Sequence, residues 1–107
     1  MTALLEPQHP LQPEPVPDAV LMTRVAKRDS TALIELERRH RSSLYAQAYA
    51  ILMDAGAAER VVRDTFSQLW FDAPEYTIMP RAWELLREMA RELARAEQAL
   101  RANARWR

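Results

Sequence analysis

Leu33, Leu36, His40, Leu44, Ala48, Ile51 and Leu52 recur at intervals of three and four, the spacing that gathers side chains on one face of an α-helix. The run predicts one long helix of about six turns, with Ser30 as its N-cap. It breaks at Asp54-Ala55-Gly56, where the chain's single glycine suits a helix C-terminus. Upstream, Pro17-Asp18 supplies a helix start. Ala19, Val20, Leu21, Val25 and Ala26 then predict a short amphipathic helix ending near Arg28-Asp29. Downstream, a third helix is expected from about Ala57 to Trp70, burying Val61, Val62, Thr65, Phe66 and Leu69, with Trp70 a further candidate. Phe71 to Met79 has no helical period and is bracketed by Pro74 and Pro80, so it reads as a loop. Pro80 fits the first turn of a last helix whose stripe is Trp83, Leu86, Met89, Ala90, Leu93 and Leu100. The predicted fold is all-α: a compact bundle of about four helices in the order short, long, medium, loop, long.

Composition narrows this picture. A length of 107 residues allows one domain with a single core. Residues 1–17 hold most of the seven prolines and few bulky apolar groups, so they read as a flexible, disordered tail ahead of a domain over residues 18–107. One glycine and 49% hydrophobic residues favour helix over sheet. The absence of cysteine removes disulfides, thiolate metal sites and cysteine nucleophiles, and leaves His9, His40 and carboxylates as metal ligands. The apolar run Ala48 to Met53 is far shorter than the ~20 residues a bilayer span needs, and the N-terminus lacks the pattern of a secretory signal. A cytoplasmic protein without membrane contact is therefore expected.

Fifteen basic and fifteen acidic side chains cancel. That balance is weak support for nucleic-acid binding, although seven arginines against four glutamates give residues 81–107 a basic excess. The run Arg38-Arg39-His40-Arg41 lies mid-helix, so its arginines fan out and a solvated face is the simplest reading.

The order of positions from Ser30 to Trp70 carries more information. Ala32-Leu33 opens the long helix, the basic cluster follows, then Leu44-Tyr45 and the break at Asp54. After the break come Ala58-Glu59-Arg60, Val61-Val62, Arg63, Asp64-Thr65-Phe66 and Leu69-Trp70. This ordered set resembles the second conserved region of sigma-70 family RNA polymerase sigma factors, most closely the extracytoplasmic-function (ECF) type. The family has Asp where this chain has Arg60 and Gln where it has Arg63. In the last helix its Asn and Asp are replaced by Glu92 and Ala96, and only the Ala90-Arg91 pair survives.

The resemblance implies that the third helix docks on the clamp helices of the RNA polymerase core through Glu59, Arg60, Arg63, Asp64, Ser67 and Gln68. It further implies that the following loop and last helix bind the single-stranded minus-ten region of promoter DNA through Phe71, Tyr76, Arg81, Trp83, Arg87 and Arg91. An aromatic ring stacks an unpaired base for ~1–3 kcal/mol and an arginine holds phosphate, so these residue types suit the task. On periodicity alone the first set reads as a solvated face with a Glu59 to Arg63 pair, and Trp70, Phe71 and Trp83 as closing the core with Tyr76 capping it. Asp72 and Glu75 would repel phosphate. Glu84-Arg87, Glu88-Arg91 and Glu92-Arg95 at i,i+3 would partly neutralise the last helix, leaving Arg101, Arg105 and Arg107 unpaired.

An enzyme is not expected. His40 and Ser43 lack an orienting third group, Glu37 and His40 alone make no metal site, and no phosphate-binding glycine loop is present. No cofactor is expected. The alternative to a promoter-opening factor is a degenerate sigma-like module that binds an anti-sigma factor or another regulator, or associates with itself. The sequence leaves open whether it is a piece of a longer protein.

Overall fold

Pro17, with φ −62° and ψ 149°, turns the chain from extended into helical backbone, and its carbonyl accepts the first ladder bonds from Val20 and Leu21. This is the start of α1 (Asp18–Ala26) in the computed structural model, which describes residues 15–105. The tail expected over residues 1–17, with His9, therefore lies outside the described residues except for its last three. So does Arg107.

Three further helices follow: α2 (Ser30–Leu52), α3 (Ala55–Asp72) and α4 (Ala82–Ala104), with a 3₁₀ turn at Ala73–Glu75 after α3. The expected all-α bundle of four helices is what forms, and no strand occurs among the described residues. No helix among them is long and apolar enough to cross a membrane.

The helix ends correct the sequence reading. α1 closes in a Schellman motif, in which Asp29 N–H donates to Arg24 O and Arg28 N–H to Val25 O, each at 2.9 Å. Arg28 sits at the left-handed position (φ 68°), where a residue with a β-carbon is held at a cost of about 1–2 kcal/mol. Its guanidinium stacks 4.9 Å from the Trp70 ring centroid and donates to the Trp70 carbonyl in the last turn of α3, which offsets that cost.

The N-cap of α2 is Asp29, whereas Ser30 is already helical. The Asp29 carboxylate accepts from Thr31 N–H at 3.0 Å and from Thr31 Oγ1 at 2.6 Å. An ionised acceptor in extended backbone is a stronger cap than a hydroxyl one residue later.

α2 ends at Met53, which takes the left-handed conformation expected of Gly56 (φ 54°, ψ 35°). Asp54 then caps α3, accepting from Ala57 N–H at 2.9 Å. Gly56 lies inside the first turn of α3, and a β-carbon there would meet Asp54 Oδ1 at 3.5 Å and Arg60 Nη1 at 3.7 Å, ordinary contact distances. Gly56→Ala should therefore raise the melting temperature by about 2–8 °C, by restricting the unfolded chain. A fall in melting temperature would show that the turn needs glycine.

α3 runs two residues past Trp70, so Phe71 is helical and does not belong to a loop. Pro80 precedes α4 instead of entering it. Arg81 is extended (φ −70°, ψ 132°) and its carbonyl opens the ladder by accepting from Leu85 N–H.

One core joins the helices. Leu21, Met22 and Val25 of α1, Leu36 and Leu44 of α2, Phe66 and Leu69 of α3 and Leu86 of α4 are buried. Alanines at 48, 57, 58, 82, 90 and 94 fill positions where the helix backbones approach. Buried Thr65 keeps its hydroxyl satisfied by donating to Val61 O at 2.7 Å. Leu100, expected in the α4 stripe, is 65% exposed.

The far end of α4 is nevertheless anchored. Gln98 Nε2 donates to Ile51 O at 3.2 Å, and Arg101 donates to Asp54 Oδ2 at 3.1 Å and to Glu97 Oε2 at 3.2 Å. Arg101 is thus paired, contrary to expectation, and fastens α4 to the α2 to α3 junction.

Candidate functional site

Burial of Val61, Val62, Thr65, Phe66 and Leu69 leaves the opposite face of α3 to solvent, and all six residues expected there are exposed: Glu59, Arg60, Arg63, Asp64, Ser67 and Gln68. Helical geometry divides them between two grooves. Toward α2, Glu59, Arg63 and Ser67 border a trough made of two adjoining cavities of about 500 and 280 Å³. Val62, Phe66, Trp70, Leu33 and Tyr45 contribute its apolar lining, and Glu37, Arg41, Ser42 and Ser30 its polar rim. Glu37 and Arg63 belong to both cavities.

Toward α4, Arg60 lies 3.9 Å from Glu97, and Gln68 donates to Asp72 at 2.8 Å. Gln68 and Asp72 line a smaller hollow of about 340 Å³ with Met89, Glu92 and Leu93. The expected Glu59 to Arg63 pair is not formed. Arg63 Nε lies 3.5 Å from Asp64 Oδ1 instead, so Arg60 and Arg63 each have a carboxylate neighbour that moderates their charge.

The α2 side of the trough escaped the sequence reading. Glu37, Arg41 and Tyr45 are spaced i,i+4 beside the apolar stripe and so share one edge of α2, which is the available signal.

The six residues expected to meet DNA are not gathered into one site. Phe71, 71% exposed, stands at the end of α3. Tyr76 is half-buried against the core, and burial, followed by the Asp72 carboxylate, pushes its hydroxyl pKa up. Arg81 and Trp83 do line one cavity, of about 380 Å³, with Met79, Pro80 and the first turns of α1. Trp83, Arg87 and Arg91 are spaced i,i+4 along α4, where Arg87 O accepts from Gln47 of α2 at 2.8 Å.

Only one of the three neutralising pairs expected on α4 forms, Glu88 to Arg91 at 3.9 Å, while Glu84 turns to Arg81 at 3.6 Å. Among the described residues, neither Arg87 nor Arg95 lies within ion-pair distance of a carboxylate. The helix is less self-cancelling than its sequence.

The run Arg38 to Arg41 is not a plain solvated face. Arg39, mostly buried, donates to Asp18 Oδ1 and Glu35 Oε2, both at 2.8 Å, and Arg38 donates to Glu35 at 2.6 and 3.0 Å. His40 Nε2 lies 2.7 Å from Asp18 Oδ2, and its ring stacks on Trp83 at 5.7 Å. Hydrogen bonds from Arg38 and then Arg39 hold the Glu35 carboxyl at about 2, against an ordinary 4.5. For Asp18, burial pushes the carboxyl up, but the Arg39 and His40 hydrogen bonds outweigh it and the net shift is down.

Both shifts make the native state bind fewer protons than the unfolded chain in acid. Their stabilisation is complete above the ordinary carboxylate range and is lost as pH falls from about 4.5 toward about 2. Urea unfolding midpoints should drop across that window, and less steeply in Glu35→Gln. Equal slopes in the two proteins would rule out this network as the source.

Among the described residues, no group of three or more His, Asp or Glu side chains is placed to hold a metal ion. No family model matches the chain and no solved structure does. Three curated proteins are similar: the ECF RNA polymerase sigma factor SigK of Mycobacterium sp. strain KMS, its namesake in strain JLS, and the RNA polymerase sigma factor SigK of strain MCS. Each is 34% identical over 85 residues, covering 75% of this chain and 44% of the relative. The chain spans less than half the length of these relatives. The likeness supports kinship with the sigma-70/ECF sigma factors.

Proposed function

We propose that residues 18–107 form a sigma-factor domain of the second-region type, which docks on the RNA polymerase core and contacts the unwound minus-ten strand of promoter DNA. It acts in the cytoplasm, by binding and without a reaction of its own. The observation that carries this reading is the trough between α2 and α3. Its apolar floor, offered by half-buried Leu33, Tyr45 and Trp70 over buried Val62 and Phe66, lies under a rim of Glu37, Arg41, Glu59 and Arg63 and has the form of a protein-docking surface. An apolar centre contributes affinity and a mixed-charge rim sets register. Arg81 and Trp83 border one cavity at the head of α4, so a cation and an aromatic ring are available there, a combination that suits single-stranded nucleic acid.

A second reading rests on the hollow between α3 and α4. Asp72 and Glu92 there would repel phosphate and suit a protein partner such as an anti-sigma factor. The departures at Arg60, Arg63, Glu92 and Ala96 fall on or beside these faces.

Purified chain titrated with core RNA polymerase at low and moderate salt separates the two. The first reading expects saturable binding that survives moderate salt, because its centre is apolar. Absence of binding by the parent with recovery in Arg63→Gln would transfer the function to the regulatory module.

A further inference from the structure

Asp18, His40 and Trp83 make a chain of contacts across three helices that neither face of α3 uses. Asp18 is the first residue of α1, where an anion is favoured by the helix dipole. One of its carboxylate oxygens accepts from Arg39 Nη1 at 2.8 Å and the other lies 2.7 Å from His40 Nε2. Arg39 is itself held by Glu35 at 2.8 Å, so the guanidinium that fixes the carboxylate is fixed in turn. The ionised carboxylate is an acceptor only, which places a proton on His40 Nε2 and fixes the imidazole plane. That plane lies 23° from the Trp83 indole with centroids 5.7 Å apart, an offset stack. Trp83 also lines the cavity it shares with Arg81, Met79 and Pro80.

We propose that Asp18 and His40 are positioning residues for Trp83, holding its indole against imidazole so that it presents one fixed orientation beside Arg81 to an unpaired base. The inference rests on the reading of Trp83 as a DNA contact given above. An aromatic side chain already held in place loses less freedom on binding than one that must be ordered, and releasing one such side chain corresponds to about three- to tenfold in affinity. A contact near the N-terminus of the domain would thus set the strength of a site on its last helix.

The test is fluorescence anisotropy of a short dye-labelled single-stranded DNA with the parent, Asp18→Asn, His40→Gln, Trp83→Ala and the His40→Gln/Trp83→Ala double variant. Asp18→Asn and His40→Gln should each weaken binding about three- to tenfold, while core polymerase affinity, read at the α2 to α3 trough, stays unchanged. In the Trp83→Ala background His40→Gln should have no further effect, because it acts through that ring. Equal weakening by His40→Gln with and without Trp83 would mean a general distortion of the fold and would overturn the proposal, as would unchanged affinity in the single variants. Failure of the underlying reading shows separately: the parent would not bind the DNA, or Trp83→Ala would bind as tightly as the parent, and the positioning role would fall with it.

Discussion

Phe66→Ala lowers the free energy of unfolding by about 3–5 kcal/mol, the largest effect expected of any single substitution in this chain. Phe66 is 1% exposed and heads the fully buried side chains by size. It sits on α3, whose buried face packs against both α2 and α4. Truncation removes the transfer energy of the ring and leaves a cavity that three helices meeting at one core cannot close by small shifts. A domain of this size has about 5–15 kcal/mol in total, so the variant is expected to be largely unfolded in modest urea. Leu100→Ala is the matched control: at 65% exposure near the end of α4 it should change stability by no more than about 0.5 kcal/mol. A small effect at Phe66, or a large one at Leu100, would show that the helices pack differently.

Ser67→Trp abolishes or weakens docking on core polymerase at least tenfold, at least ~1.4 kcal/mol, while leaving the fold intact. Ser67 is exposed and borders the trough between α2 and α3, so an indole there fills the cavity without entering the core. A steric block has the advantage that its sign does not depend on the partner's charge, unlike substitutions of Glu37, Arg41 or Arg63. Urea denaturation should give a midpoint close to the parent's, and core binding measured on the same preparation should be lost. Retained affinity would move the docking surface elsewhere on the domain.

The order and type of the helices were legible in the sequence because each contains two or more turns of spaced apolar residues. The exposed face of α3 was legible for the same reason. The helix junctions were not. Asp29 outcompetes Ser30 as a cap, and the left-handed positions fall on Arg28 and Met53 although a glycine stands nearby. Tertiary contacts decide these cases: Arg28 is held by Trp70 across 42 positions, and the turn after Met53 by Arg101 of α4.

Periodicity also says nothing about pairing between helices. It read Arg39 as solvated and Arg101 as unpaired, whereas Asp18 and Asp54 reach them from 21 and 47 positions away. In α4 the expected stripe holds at Leu86 and Ala90, both buried, but it missed buried Ala82 and Ala94 and included exposed Leu100. The trough required knowing that Glu37, Arg41 and Tyr45 face α3, which no single-helix pattern contains.

The most direct test of core docking is a photocrosslink from a benzophenone side chain at position 64, which is exposed on α3 and lines neither cavity of the trough, mixed with core RNA polymerase and mapped by peptide analysis. The account predicts cross-links to the clamp helices that are lost on adding excess unlabelled chain, with none from the same probe at exposed Arg95 on α4. Cross-links absent at position 64, or equal from both positions, would contradict core docking through this face.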